Sequence, residues 1–212
     1  MTPSAYQQEQ REALEMVRRH LAEAAPGLPD AVAARLADYH AYRRRLDAFL
    51  DGHFREVCRA SCYESRLSAC CSREGIITFF ADVVVNALAS ADADLDVLDG
   101  RLGQPNTGFK CIYLGPRGCL WRIRPLNCAL FLCDAAERRI LGPEPDLGRG
   151  WQALRDEAKC FRWPDRPVLF DDLEHWCMAA GYHSSLMYLN TSPGLLRVKR
   201  RAGLGFTGKT GP

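Results

Sequence analysis

The chain has 212 residues, 47% of them apolar, and 28 Lys+Arg stand against 26 Asp+Glu for a formal net charge of +2. That length favours one domain with modest attachments and the apolar share is ample for a core, while so balanced a charge offers no field to attract nucleic acid or an anionic membrane. The N-terminal stretch has no apolar core of signal-peptide length and the most apolar run, residues 76–89, is broken by Asp82 and Asn86; it falls short of the roughly 20 apolar residues a bilayer crossing needs, so a cytoplasmic protein without membrane or nucleic-acid partners is expected.

Ser4 precedes a stretch with Tyr6, Ala13, Leu14, Val17 and Leu21 at helical spacing, which Pro26-Gly27 ends. From Asp30, read as an N-cap, Val32, Leu36, Tyr39, Leu46, Phe49, Leu50 and Phe54 continue a 3.6 period into the first cysteine and predict a long second helix. Residues 75–98 contain the β-branched run Val83-Val84-Val85, but their length without a central Gly or Pro favours one buried helix over a strand. Gly100, Gly103, Pro105 and Gly108 form a loop, and residues 109–146, rich in Gly, Pro and Arg, show no sustained period, as expected of backbone organised around ligands. Helices follow over 148–159 and 170–180, the latter capped by Asp171 and stopped by Gly181. Residues 193–212 carry Arg197, Lys199, Arg200, Arg201 and Lys209 without an acid and read as a mobile basic tail.

The ten cysteines are the abnormal feature: Cys58, Cys62, Cys70, Cys71, Cys111, Cys119, Cys128 and Cys133 crowd one region, and Cys160 and Cys177 lie beyond it. Packing alone accounts for a pair of buried thiols; eight in one region of a reducing cytosol point to metal or redox chemistry ahead of disulfides. Cys58 and Cys62 fall one helical turn apart if the preceding helix runs through them. Cys70 and Cys71 are adjacent, with Cα atoms about 3.8 Å apart, under the usual disulfide range. Cys111 and Cys119 flank a Gly-Pro turn, and Cys128 and Cys133 converge only if a helix start or a loop intervenes. Gathered thiolates around zinc or iron leave an excess of negative charge, for which Arg59, Arg66, Arg117, Arg122 and Arg124 are the nearby counterions, with Pro125 fixing the turn that presents Cys128.

Other motif matches lack their structural context. Gly203, Gly208, Lys209 and Thr210 have phosphate-loop spacing, but only Gly211 and Pro212 follow to make the required helix. Asp92, Asp94 and Asp96 imitate a calcium loop, yet Val97 and Gly103 occupy the positions of its Gly and its closing Glu. His53 is the one histidine placed to join the cysteines; His175 and His183 attend Cys177 without a recognisable orienting Asp or Asn.

The pattern Cys58, Cys62, Cys70-Cys71, then Cys111 and Gly118-Cys119-x-Trp-x-x-Arg124-Pro125-x-x-Cys128, resembles the zinc- or iron-chelating cysteine-cluster family (YkgJ-type) named for its CxxCxxCC signature. The second half carries the likeness; the first departs, with three and seven residues between cysteines where the signature has two and two. The resemblance covers about residues 55–135 and implies a metal centre; the crowding of cysteines in one stretch favours iron-sulfur over zinc, and the expected role is structural, electron-transfer or metal-handling. The same resemblance, through a flagellin lysine methylase similar to the family, implies as an alternative a cluster-dependent enzyme. The chain carries no methyl-donor loop and no third cysteine two residues after Cys62. The expectation is therefore a mainly α fold, a helical domain wrapped around a loop-rich cysteine-ligated metal centre. Its parts are N-terminal helices over 1–54, a cysteine-cluster region over 55–146, C-terminal helices over 147–192 and a flexible basic tail over 193–212. The expected partners are the metal ion or cluster and an unidentified redox or protein partner.

Overall fold

The structure is a computed structural model that describes residues 2–23, 27–60, 64, 71, 77–116, 118–162 and 166–203, and it is mainly α. Helix α1 (Ala5–Glu23) starts where the Ser4 hydroxyl accepts from the Gln7 N–H at 3.3 Å, an N-cap that satisfies one of the donors a helix start leaves open. Its Ala13, Leu14 and Val17 stripe is buried against α4 (Phe80–Ala89) and α5 (Asp92–Leu102). Helix α2 (Asp30–His53) runs on into the short α3 (Arg55–Cys58), and Asp30 is its first helical residue, with Pro29 in the cap position.

Helix α4 is the centre of the molecule. Phe80, Ala81, Val83, Val84, Val85 and Ala87 are buried on every side, which is the environment an all-round apolar helix requires and which overrides the weak helix preference of three consecutive valines. The single helix expected over 75–98 is two, because Ser90 and Ala91 are extended and the chain restarts at Asp92. The acids of the calcium-loop imitation line the first turns of α5, where Arg18 reaches Asp96 at 2.8 Å, an arrangement favoured by the positive helix start.

A two-stranded hairpin, β1 (Leu114–Gly115) and β2 (Gly118–Cys119), precedes α6 (Leu126–Leu130) and α7 (Asp134–Ile140). Helices α8 (Pro145–Glu157), α9 (Lys159–Arg162), α10 (Leu169–Ala179), α11 (Tyr188–Thr191) and α12 (Pro193–Arg201) complete the chain. Two apolar clusters result: a main core that joins α1, α2, α4, α5 and α10, and a satellite of Phe54, Val57 and Ala136 under the junction of α2, α3 and α7. Among the described residues no helix is long and apolar enough to cross a membrane.

The C-terminal basic stretch departs from expectation. Residues 193–201 are helical and Lys199 is buried, its Nζ 2.6 Å from the equally buried Asp171 carboxylate, which also accepts from the Tyr188 hydroxyl. Asp171 therefore does not cap α10; Val168 holds that position. The buried Lys199–Asp171 ion pair pins α12 to α10, and unpairing either charge there is costly. The phosphate-loop imitation falls on residues 203–212, of which 204–212 lie outside the described residues.

Beside this pair, Glu174 is fully buried and its two carboxyl oxygens accept from the Tyr188 and Leu189 N–H groups at 3.1 and 2.9 Å. Burial pushes its pKa from the model-compound 4.5 up to about 8, against the pull of those donors. The folded chain thus keeps a proton that the unfolded chain has lost between about pH 4.5 and 8, so this group's contribution to stability is full below the unfolded value and is lost as pH rises through about 8. Urea melts at pH 5.5, 7 and 8.5 are expected to show stability falling with pH, and Glu174→Gln to flatten the slope. Parallel slopes for the two proteins would refute the assignment.

Candidate metal centre

The hairpin and α6 bring three of the predicted cysteines, Cys111, Cys119 and Cys128, within electrostatic reach of one another. The Cys111 N–H donates to the Cys71 carbonyl at 2.7 Å, which ties the end of the Cys70-Cys71 segment to the hairpin by main chain. Beyond Cys111 the backbone turns, with the Leu114 N–H on the Cys111 carbonyl at 3.1 Å, and the Tyr113 and Leu114 N–H groups also reach the Cys111 sulfur. The hairpin register pairs Leu114 with Cys119 and Gly115 with Gly118. Gly118 has φ +113°, a conformation a side chain disfavours, so glycine is what lets the chain reverse and return Cys119 toward Cys111. The Trp121 N–H donates to the Cys119 sulfur, and the Ile77 N–H to that of Cys128 on α6.

Burial raises all three thiols, Cys111 to about 12, and each of Cys111 and Cys128 is pushed up further by the charge its cysteine neighbours would carry. Cys119 keeps solvent access, yet the protein around it still raises its thiol. Arg124 pulls Cys119 and Cys128 the other way. Backbone donors on every sulfur together with a shared guanidinium are what an anionic sulfur needs, and buried neutral thiols do not require them. A cation admitted among them would displace the protons.

The support of this site lies in residues the sequence pattern treats as interruptions. Asp82, fully buried in the first turn of α4, accepts from the Phe79 N–H at 2.9 Å and from the Leu126 N–H at 3.0 Å, so one carboxylate caps both α4 and α6. One turn on, Asn86 accepts from the Ile123 N–H at 3.1 Å. Arg43 of α2 donates to the Arg124 carbonyl at 2.6 Å. These contacts hold residues 123–126, the Arg-Pro segment that presents Cys128, from two sides. Burial lifts the Asp82 pKa to about 6, restrained by the two N–H groups and by the charges of Arg43 and Arg162. Tyr113 packs edge-on against Trp121 with ring centroids 5.3 Å apart, its hydroxyl meets that of Tyr6 at 3.3 Å, and both Tyr113 and Trp121 are buried. Two polar residues spaced i, i+4 on an otherwise apolar helix were the available signal, since a buried polar group requires a partner.

The other predicted ligands lie elsewhere. Cys58, at the end of α3, and Cys133, in the N-cap position of α7, both pack on the satellite cluster. Cys62, Cys70, Arg66 and Arg117 lie outside the described residues. Arg59 pairs at the surface with Glu64 at 3.1 Å and Arg122 is exposed, which leaves Arg124 as the described arginine acting on the thiols. His53 lies against the Phe49 ring, centroids 4.8 Å apart. Cys160 is exposed, whereas Cys177 is sealed in the main core, where burial drives its thiol up to about 12. Among the described residues no group of three His, Cys, Asp or Glu side chains is arranged to hold a metal ion. The donor chemistry at Cys111, Cys119 and Cys128 nevertheless fits a thiophilic metal or cluster. Comparison with protein-family models, with curated proteins and with solved structures found no match.

Proposed function

We propose that this is a metal-binding protein in which Cys111, Cys119 and Cys128, with Cys70 or Cys71, hold a thiolate-ligated centre, iron-sulfur ahead of zinc, that serves structure, electron transfer or metal handling. What supports this reading is that three cysteines, remote in sequence, lie within electrostatic reach of one another, each sulfur met by a backbone N–H and two of them by the Arg124 charge. The likeness of the Cys111 to Cys128 pattern to the cysteine-cluster family supports it from the sequence side. Such a centre would supply charge for a structural role, or a one-electron couple if it is an iron-sulfur cluster. The chain's own part is to orient the sulfurs through the hairpin and the two-helix cap at Asp82 and to counter their charge with Arg124.

Four thiolates suit zinc and iron-sulfur alike, so elemental content decides between them. Protein purified without oxygen is expected to be brown and to contain iron with acid-labile sulfide. A colourless preparation with stoichiometric zinc would move the assignment to zinc, and a preparation with neither metal nor sulfide would end it.

A further inference from the structure

A cleft of about 430 Å³ opens between α6 and the α8–α9 segment. Its volume is in the range of small-molecule sites. Its polar wall is basic: Arg155, Lys159 and Arg162 line it with no acid among the described lining residues. The acids nearest in sequence are engaged, Asp156 with Lys159 at 2.6 Å and Gln152 at 3.1 Å, and Glu157 with Arg45. Arg155 and Arg162 form no ion pair among the described residues, and the Arg162 Nε is buried without a hydrogen-bond partner there. The buried Asp82 carboxylate acts on Arg162 through space without an ion pair among the described residues, so this half-buried guanidinium keeps donors that an oxyanion would fill.

The opposite wall is apolar. Phe131 and Ile77 are 52% and 56% exposed, large hydrophobes left uncovered, and Leu130 lines the cleft with them. Two planar guanidiniums suit an oxyanion that accepts two forks, and the uncovered ring suits a flat apolar body. We propose that this cleft binds a small phosphate monoester with an aromatic or other apolar body, its phosphate between Arg155 and Arg162 and its body against Phe131. The cleft borders the candidate metal centre, since Ile77 donates to the Cys128 sulfur and Asn127 is the residue before it. A ligand there sits beside Cys128, yet the binding requires no metal and stands apart from the metal assignment.

The test uses phenyl phosphate, with inorganic phosphate as charge without body and phenol as body without charge, titrated by calorimetry and by thermal shift. Phenyl phosphate is expected to bind and to raise the melting temperature, inorganic phosphate to bind at least ten-fold more weakly, and phenol not to bind. Arg155→Glu, at an exposed position, is expected to cost at least ten-fold in phenyl phosphate affinity, and Phe131→Ser to lower that affinity while sparing inorganic phosphate. No binding of phenyl phosphate at millimolar concentration, or binding indifferent to Arg155→Glu, overturns the proposal. Binding equal to that of inorganic phosphate overturns the apolar half of it. Metal content is read independently in the same samples, so either assignment can fail without the other.

Discussion

The double substitution Cys119→Ser/Cys128→Ser is expected to abolish metal retention. Loss of an outer partner of a metal ligand already lowers affinity about 10- to 100-fold, and removal of two sulfurs leaves Cys111 with one neighbouring thiol at most, so the expected loss exceeds a hundred-fold. The decisive comparison is with Cys58→Ser/Cys133→Ser, which touches the satellite cluster and is expected to leave a metal held by Cys111, Cys119 and Cys128 in place. Cys160→Ser, at an exposed position, serves as a further control. The measurement is metal and sulfide per chain after anaerobic desalting. Equal losses in both double variants would mean that all the thiols serve one site, and retention in the Cys119/Cys128 variant would remove the basis for a centre at the hairpin.

Asp82→Ala is expected to destabilise the fold by about 3–5 kcal/mol. The reasoning is local: two backbone N–H groups, at Phe79 and Leu126, lose their acceptor at once. Each buried orphan costs about 1–3 kcal/mol, and Arg43 and Arg162 lose a buried counter-charge as well. Asp82→Asn preserves volume and one acceptor oxygen, so it is expected to cost roughly half as much. Urea unfolding of the three proteins provides the ranking. Because the same carboxylate fixes the start of α6, metal retention is expected to fall in Asp82→Ala even under conditions where the variant is folded. A variant within about 0.5 kcal/mol of the parent, the range of ordinary surface changes, would show that the double cap contributes nothing.

Helices α1 and α2 were legible in the sequence because their core faces recur every three or four residues, a pattern that depends on each segment alone. The same reading placed α8 and α10 to within a few residues. It joined α4 to α5, however, since Ser90 and Ala91 carry no Gly or Pro punctuation; the break occurs where α4 ends its buried run and α5 turns to meet α1. It also read residues 193–201 as a tail, because a basic stretch is solvated by default and the buried carboxylate of Asp171 that accepts Lys199 is 28 residues away.

For the candidate site, residue type and clustering identified the sulfurs, and the Arg124-Pro125 pair stood out beside them. Spacing could not divide the eight cysteines into groups. The hairpin pairs Cys119 with Leu114, three residues after Cys111, and Cys133 packs on the satellite cluster. By itself, then, the sequence determined that the chain is helical, that thiol chemistry is its distinguishing feature, and which segments carry it. Tertiary structure alone decided that Cys111, Cys119 and Cys128 lie within electrostatic reach of one another, that Asp82 and Asn86 hold the segment before Cys128, and that Arg155 and Arg162 line an open cleft. The physical reason is range: helical periodicity is written among neighbours, whereas a buried polar group is satisfied by whatever the fold brings to it, and that partner has no fixed distance along the chain.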